Sequence, residues 1–299
     1  MALLTQLDPA ALDQIGEGFA LDVLSANHIE GGAKNTSYLI TTKSGHFVAT
    51  VLEHQDLAFA EAYGAFLRQL VDRGLPTPAP RKTHDGRWAC LLDGKPIVLT
   101  SHVQGSSSSP LSQTELFRLG ALLARIHDSD LDRDAPPTVR LAEDDMRWLT
   151  DHSGDPFAHW ALVRHRQTVG AVQGGGILRL THGDPFRDNV LVTRSGSLVL
   201  VDWEEAAFDM PAIDLAMAAL SHCFGPGLDL VRLESLAAGY ASGDTPSIPA
   251  ATILHTAAYA GLVIAYRRYR RHLDGMTTPG TYLSMQKLVD LLSDSVAVA

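Results

Sequence analysis

Three side chains that offer oxygen ligands, Asp184, Asn189 and Asp202, are spaced along the chain in a way that suits phosphoryl transfer. Asp184 and Asn189 share a short polar segment between two apolar runs, and Asp202 ends the following apolar run. Phosphoryl transfer spreads negative charge over several oxygens, so a protein mainly has to position groups and neutralise that charge. The pattern predicts that Asp184 accepts a hydroxyl proton and that Asn189 and Asp202 are ligands of Mg²⁺.

The apolar runs around these residues predict the elements that would position them. Residues 176–180 read as a short strand, and residues 190–192 and 198–201 flank a Gly-containing turn, which indicates a hairpin. Because a hairpin reverses the chain, we expect Asp202 to return to the side of the other two residues. His182, at the start of the polar segment, is expected to brace this loop through hydrogen bonds.

Other interpretations of these residues remain open. Asp and Asn are common in turns, where their side chains bond to nearby backbone, so any one of them alone indicates little. A metal hydrolase using His182, Asp184 and Asp202 would need further ligands, and the 13 histidines show no second cluster with metal-ligand spacing. A catalytically inactive nucleotide-binding module is a third interpretation. The intact Asp184, Asn189 and Asp202 argue against it, while Thr50, which stands where protein kinases carry a lysine, leaves it some weight.

Several stretches of the chain resemble the aminoglycoside phosphotransferase and choline kinase superfamily, and most closely its homoserine kinases of the same fold. The resemblance covers roughly residues 5–220. It implies an α+β, bilobal protein-kinase-like fold, with a small antiparallel-sheet N-lobe and a larger, mainly helical C-lobe. The stretches that carry it are residues 31–38, 73–80, 186–191 and 208–216.

The same resemblance implies an activity. A member of this superfamily would use ATP and Mg²⁺ to phosphorylate a hydroxyl of a small molecule, here homoserine or a related amino alcohol. An aminoglycoside- or choline-type acceptor and a non-catalytic pseudokinase remain as alternatives. In the superfamily, the acidic residue at Asp214 supports the catalytic loop rather than the substrate.

A glycine-containing loop ahead of a predicted strand pair is the candidate phosphate-binding segment. Gly32 would let backbone N–H groups approach phosphates, and Lys34, Asn35 and Thr36 would add donors. A plain turn explains the two adjacent glycines equally well. Since the strand that follows contains no lysine, either Lys34 or the metal would have to supply the missing positive charge.

The remaining nucleotide contacts are expected near Thr50 and at a hinge. Thr50 occupies the position of the protein-kinase strand lysine, and it is also an ordinary strand residue. Residues 101–110 contain a glycine and four successive serines, which indicates a flexible connection. The backbone near Ser101 and Val103 would bond the adenine, as the resemblance implies, although a simple loop is an equally good interpretation.

This hinge divides the predicted chain into lobes. We expect a nucleotide-binding lobe over residues 1–100, a linker over 101–110, and a catalytic and acceptor-binding lobe over 111–299. Apolar periodicity and turn residues predict two hairpins and a helix in the first lobe and a long helix at the start of the second. These elements are residues 37–42 with 46–52, 87–92 with 95–100, 56–72 and 112–128.

The acceptor is expected to meet residues outside the catalytic loop. Glu204, just past the predicted metal ligand, would meet a cationic acceptor, although adjacent acidic residues are usually solvated. Tyr266 and Arg267 end a long apolar helix, and Arg267 would pair bidentately with an acceptor carboxylate. A basic helix end that simply complements the helix dipole is the alternative.

Composition narrows the class of protein. The chain has 299 residues, 45% of them hydrophobic, with a net charge of -10, which argues against nucleic-acid binding. Its 2 cysteines do not make a disulfide framework, and the N-terminus lacks the basic start and apolar stretch of a signal peptide. The longest apolar stretch, residues 257–265, is too short to cross a bilayer. A cytoplasmic enzyme with a small-molecule substrate and no membrane partner is therefore expected.

Overall fold

A computed structural model describes most of the chain. The described residues are 5–30, 34–107, 110–131, 133, 135, 137–173, 177–225 and 227–296, with side chains to 293. By packing, the chain separates into a first unit, Met1–Ser106 with Leu191–Glu204, and a second unit, Ser107–Val190 with Glu205–Ala299. The mixture of antiparallel sheet and helices confirms the predicted α+β class.

The first unit contains an antiparallel sheet built mainly from two hairpins. Its strands are β1 (Val23–Ile29), β2 (Thr36–Thr42), β3 (Gly45–Val51), β4 (Pro80–Arg81), β5 (Ala89–Leu92) and β6 (Lys95–Ser101). They lie in the order β1-β2-β3-β6-β4, and β5 also pairs with β6. Side chains alternate strictly between buried and half-buried along β2, which is the period-2 pattern that predicted the first hairpin. β1 was not predicted, because none of its side chains is fully buried and alternation is absent.

Two helices pack with this sheet. They are α1 (Pro9–Phe19) and α2 (Leu57–Asp72). Asp8 and Asp56 cap their N-termini, each accepting a hydrogen bond from a backbone N–H of the first turn. α1 buries Ile15 and Phe19 in the sheet-side core.

A second, small sheet holds the hairpin that precedes Asp202. It consists of β7 (Gly105–Ser106), β9 (Val190–Thr193) and β10 (Leu198–Leu200), in the order β10-β9-β7. The predicted hairpin is thus confirmed. Leu200 N–H donates to the Pro76 carbonyl at 3.0 Å. The proline-containing segment 73–80 therefore holds the end of β10, two residues before Asp202.

The second unit is mainly helical. Its helices are α3 (Gln113–His127), α4 (Glu143–Asp151), α5 (Pro156–Thr168), α6 (Ala212–His222), α7 (Leu230–Ala241), α8 (Ala250–Leu273) and α9 (Pro279–Val296). Two short strands, β8 (Arg179–Thr181) and β11 (Ala207–Asp209), pair antiparallel. The strand predicted at 176–180 therefore lies further along the chain, because Ile177 and Leu178 are exposed. The core surrounds α8, whose middle turns are buried almost all round.

Hydropathy along the helices adds one further fact. Among the residues that the structure describes, no helix combines the length and the apolar character needed to cross a bilayer.

Candidate active site

The catalytic loop, residues 182–189, follows β8 directly, and its second residue is a glycine that no other residue could replace without strain. Gly183 has φ 81°, in the left-handed region. A Cβ at this position would also collide with the carbonyl oxygen of Glu205. The loop then makes a short 3₁₀ turn, Arg187–Asn189, before entering β9.

Asp184 and Asn189 are in direct contact across this loop. The Asn189 amide nitrogen donates to the backbone carbonyl and to the carboxylate Oδ2 of Asp184, both at 2.9 Å. With its nitrogen engaged in this way, the amide turns its Oδ1 away from Asp184. The Oδ1 atom is a neutral hard oxygen of the kind that Mg²⁺ accepts as a ligand.

The start of the loop is held by a buried carboxylate. Asp214, on α6, accepts from the backbone N–H groups of His182 at 2.7 Å and Gly183 at 2.8 Å. Its Oδ2 also lies 3.0 Å from Nε2 of His127, and both side chains are 0% exposed. His127 in turn lies 3.0 Å from the Tyr240 hydroxyl through Nδ1. These are the contacts that the predicted supporting role of Asp214 requires.

His182 contributes to the loop through its ring. Its Nδ1 accepts from the backbone N–H of Asp184 at 3.3 Å, and the side chain is fully buried. Because Nδ1 is the acceptor, a neutral ring carries its proton on Nε2. This geometry suits the predicted bracing role, in which the histidine sets the backbone path into Asp184.

The far end of the loop is attached to the end of α6. Arg187 donates from its backbone N–H to Ser221 Oγ and from Nη2 to the Ser221 carbonyl, both at 2.7 Å. The neighbouring His222 is buried, and burial, with the nearby Arg187 and Arg232, lowers its pKa to about 4. Its Nδ1 accepts from Leu111 N–H at 3.4 Å, which fits a neutral ring.

In the first unit, the candidate nucleotide loop ends on a network around Glu53. Thr36 donates to Glu53 Oε1 at 2.6 Å, and Lys95 Nζ donates to Oε2 at 2.6 Å. Burial raises the pKa of Glu53, but hydrogen bonds from Lys95, Thr36 and Thr5 outweigh it, so the pKa is below its ordinary value. The Glu53 side chain is 2% exposed, and its ion-pair partner Lys95 comes from the next hairpin.

Asn35 joins the same network. Its Oδ1 accepts from the backbone N–H of Glu53 at 3.1 Å, and its Nδ2 donates to the Glu204 carboxylate. Lys34 is exposed, whereas Gly32 lies outside the described residues. The predicted acceptor residue Glu204 is thus bonded within the first unit to a predicted nucleotide residue, and its contact with an acceptor stays a prediction.

Asp202 has an unusual backbone. It is one of the few described non-glycine residues with positive φ, at 61°. A left-handed conformation costs an L-residue about 1 kcal/mol, and Asp tolerates it better than most. Strain of this kind tends to accumulate where a side chain has to point in one functional direction. The observation fits a metal ligand at this exposed position.

The hinge residues differ in the backbone groups they leave for a ligand. Ser101 N–H donates to the Ala79 carbonyl at 2.8 Å, and its hydroxyl accepts from Ala79 N–H at 2.9 Å. Val103 takes part in no backbone hydrogen bond with another described residue. The geometry therefore favours Val103 over Ser101 as the adenine donor. Thr50, on β3, faces Ser37 with 3.4 Å between the hydroxyl oxygens.

Glu61, on α2, has a structural role. It accepts from the backbone N–H groups of Trp88 at 2.9 Å and Ala89 at 3.2 Å, and from Arg87 Nε at 3.2 Å. Glu61 therefore anchors the start of β5 to α2. Since β3 contains no lysine, Glu61 has no lysine partner of the protein-kinase type on that strand.

The predicted acceptor residues on α8 are both used by the fold. Tyr266 is 2% exposed, and its hydroxyl accepts from Arg270 Nη1 at 2.9 Å. The Arg267 guanidinium donates to the Thr138 carbonyl. Contacts of these two residues with an acceptor stay predictions. Arg268, one position further on, was not singled out by the sequence.

The fold and the loop together define a phosphotransferase of protein-kinase-like architecture. The sequence profile of the APH family, described as the phosphotransferase enzyme family, matches residues 25–250. The chain belongs to this family and is a small-molecule kinase.

Relatives of known name narrow the resemblance. The chain is 28% identical over 233 residues to a homoserine kinase of Janthinobacterium sp. (strain Marseille), covering 72% of this chain and 70% of that one. It is 28% identical over 249 residues to the homoserine kinase of Methylobacillus flagellatus, covering 80% and 77%.

Solved structures share the fold at lower identity. Choline kinase LicA from Streptococcus pneumoniae has a TM-score of 0.68 at 15% identity, covering 95% of this chain and 97% of that one. Amicoumacin kinase hAmiN, solved in complex with AMP-PNP, Ca²⁺ and Ami, has a TM-score of 0.70 at 12% identity, covering 96% and 93%.

Proposed function

We propose that this kinase transfers a phosphoryl group from ATP, with Mg²⁺, to the hydroxyl of homoserine or a closely related amino alcohol. The observation that carries the phosphoryl-transfer chemistry is the Asp184–Asn189 contact, in which the amide nitrogen holds the carboxylate at 2.9 Å. Support for homoserine comes from the named relatives, several of which are homoserine kinases.

Asp184 is the proposed proton acceptor. Its carboxylate receives the acceptor hydroxyl proton as the oxygen attacks the terminal phosphorus of ATP. The hydrogen bond from Asn189 orients that carboxylate. Asp214 keeps the preceding backbone in place through His182 and Gly183, so that little reorganisation is needed when substrate binds.

Asn189 and Asp202 are the proposed metal ligands. When bound, Mg²⁺ neutralises charge that develops on the phosphate oxygens. The Oδ1 of Asn189 and the carboxylate of Asp202 are hard oxygens, which this cation prefers. The left-handed backbone at Asp202 supports its assignment as a directed ligand.

The nucleotide contacts are proposed for the first unit. Val103 N–H is the favoured adenine donor, and Lys34, Asn35 and Thr36 are proposed near the phosphates, with Gly32 as the residue that allows their approach. The Glu53 network supports this segment, because Thr36 and Asn35 both bond to that residue. Thr50 and Ser101 are assigned only an indirect role in nucleotide binding.

A panel of hydroxyl acceptors tests the proposal. The purified chain would be incubated with ATP, Mg²⁺ and, separately, L-homoserine, choline, ethanolamine and an aminoglycoside, with ADP release and phosphorylated product measured. We expect the highest kcat/KM with L-homoserine. A clear preference for choline or an aminoglycoside would overturn the homoserine assignment and leave the kinase chemistry standing.

Two variants test the residue roles in the same assay. Asp184→Asn should bind ATP normally and lose turnover by about 1000-fold or more, because a general base contributes a factor of that order. An unimpaired rate would contradict the assignment. Asp202→Ala should abolish Mg²⁺-dependent turnover, and turnover that persists without added metal would argue against its ligand role.

A further inference from the structure

Arg268 lies on a stripe of α8 that is otherwise made of small buried residues. Gly261 and Ala265 precede it at helical spacing, and both are buried. A Cβ on Gly261 would meet side chains of α9 and α6, including Val289 and Leu220. The stripe therefore faces the interior of the second unit, and Arg268 continues it at the end of the helix.

The Arg268 side chain is held by a hydrogen bond to α9 but uses few of its N–H donors. Its Nη1 donates to the Thr281 carbonyl of α9 at 3.2 Å, and its own carbonyl accepts from the Thr277 hydroxyl at 3.3 Å. A guanidinium has five N–H donors in a fixed fork. Among the described residues, no carboxylate lies at ion-pair distance from Arg268, so most of this fork keeps its hydrogen-bonding capacity.

The catalytic loop acts on this guanidinium electrostatically. Burial lowers the pKa of Arg268, Arg271 lowers it further, and the carboxylates of Asp184 and Asp188 oppose the shift. The loop residue Phe186 also packs against the hydrophobic cluster that contains Ala265 and Tyr266 of α8. The loop and α8 are also connected through α6, which holds Arg187 at one end and packs against α8.

The neighbouring arginines of α8 differ from Arg268 in this respect. Arg267 is turned towards the Thr138 carbonyl. The Arg270 guanidinium lies 4.5 Å from the centre of the Trp148 ring and donates to Tyr266. Both of these guanidinium groups are engaged with neighbouring protein groups. Arg268, by contrast, is partly buried, uses few of its N–H donors and lies on the helix stripe that faces the interior of the second unit.

We propose that Arg268 binds a carboxylate of the acceptor and so places the acceptor hydroxyl at Asp184. The argument rests on the proposed function, because it assumes that Asp184 receives the acceptor. A guanidinium matches a carboxylate with two parallel hydrogen bonds, which fixes orientation as well as distance. An anion bound here would also supply the ion-pair partner that Arg268 lacks. The substrate class is therefore a hydroxy acid, with homoserine as one member.

Paired acceptors that differ only in the carboxylate test this assignment. The full-length enzyme would be assayed with L-homoserine against 3-aminopropan-1-ol, and with L-serine against ethanolamine. Wild type should prefer the carboxylate member of each pair that it uses. Arg268→Gln should raise KM for the carboxylate member about 30-fold, as loss of a charged hydrogen bond implies, and change the carboxylate-free member little.

Two further variants separate binding from folding. Arg268→Lys should recover part of the carboxylate preference, because it keeps the charge and loses the fork. Arg270→Gln, which removes a guanidinium packed over the Trp148 ring, is the matched control on the same helix and should affect both members of a pair equally. A similar loss for both members in Arg268→Gln would show a merely structural role and overturn the proposal.

The outcomes also distinguish this proposal from the proposed function. Arg268-dependent use of a carboxylate acceptor other than homoserine would remove homoserine and keep the carboxylate site. Exclusive use of carboxylate-free acceptors would overturn the site and keep the kinase activity. If no acceptor turns over, calorimetric titration of L-homoserine and L-serine with AMP-PNP present decides. Binding that Arg268→Gln weakens supports the site, and absence of binding to wild type overturns it.

Discussion

Two loops of this kinase are each held by a buried carboxylate, but the two carboxylates are satisfied in different ways. Asp214 of the second unit bonds backbone N–H groups and a fully buried histidine. Glu53 of the first unit bonds Thr36 and pairs with Lys95, whose side chain is 40% exposed. The first arrangement excludes water entirely, whereas the second is partly open to it.

The difference indicates how firmly each loop is fixed. Hydrogen bonds in a water-excluded site are strong, and each group left unpaired there is costly, so the arrangement around Asp214 behaves as a single unit. An ion pair with an exposed lysine is screened by solvent and contributes less. We infer that the catalytic loop is held rigidly before substrate binds, whereas Asn35 and Thr36, at the described end of the nucleotide loop, are held less firmly.

Removing Asp214 should have the largest effect. Asp214→Ala leaves two backbone N–H groups and His127 without their buried acceptor, so the free energy of unfolding should fall by about 4 kcal/mol. In Asp214→Asn, which keeps the shape, kcat should fall while KM for ATP changes little. Urea denaturation and steady-state kinetics measure the two effects.

A matched control lies in the same network. Tyr240→Phe removes the hydroxyl bonded to His127 and leaves the contacts of Asp214 itself in place. It should cost about 1 kcal/mol, the usual value for one hydrogen bond. If Tyr240→Phe proved as damaging as Asp214→Ala, the carboxylate would not be the centre of this support.

The pH dependence of stability tests the other end of the catalytic loop. The pKa of His222 is lowered to about 4 in the fold, from an ordinary 6.5, so the unfolded chain binds the proton more readily. Stability should therefore fall as pH drops from 6.5 towards 4, by about 3 kcal/mol in total from this group. In His222→Gln that part of the slope should disappear. An unchanged slope, measured by denaturant titration at several pH values, would contradict the lowered pKa of His222.

The sequence predicted the hairpin after the catalytic loop correctly because its signals are local. Asp184, Asn189 and the hairpin after them lie in one short stretch, where residue types and turn signals suffice. The partners that complete each support come from distant parts of the chain. His127 and Lys95 meet Asp214 and Glu53 only through helix packing and strand pairing, which a single sequence does not reveal.

Helix phase is a second property that the sequence pattern leaves open. Tyr266 and Arg267 are the acceptor residues predicted on α8, and their contacts with an acceptor stay predictions. The fold places the Tyr266 side chain in the core and the Arg267 guanidinium at the Thr138 carbonyl. A step of one residue rotates the side chain by about 100° around the helix. Choosing between Arg267 and Arg268 requires knowing which face packs on α9. The stripe of Gly261 and Ala265 is the sequence signal that indicates it.

Breaking the ion pair of the first unit should have a smaller effect. Lys95→Met leaves Glu53 buried without its cation and should cost about 1–2 kcal/mol at neutral pH, less than a fully buried pair because Lys95 is partly exposed. The pKa of Glu53 is lowered below 4.5, so this contribution is present above that pH and is lost as pH falls through the lowered value. The variant and wild type should therefore converge in acid.

An exposed ion pair on the same sheet supplies the control. Lys43 and Asp22 lie 3.0 Å apart, with both side chains 69% exposed. Lys43→Met should change stability little at any pH, since solvent-exposed pairs contribute little. An equal cost for Lys95→Met and Lys43→Met would mean that the burial of Glu53 does not matter.

The smallest expected effect is that of Asn35→Ala. This change removes the acceptor for Glu53 N–H and the donor to Glu204, so the end of the nucleotide loop loses two side-chain hydrogen bonds. We expect a loss of about 1 kcal/mol in nucleotide binding, seen as a roughly fivefold rise in KM for ATP with a smaller change in kcat. Ser37→Ala, two residues further along on β2, is the control and should leave KM for ATP and kcat unchanged. A fall in kcat without a change in KM would instead mean that this loop end, like the catalytic loop, has to be rigid for the chemical step.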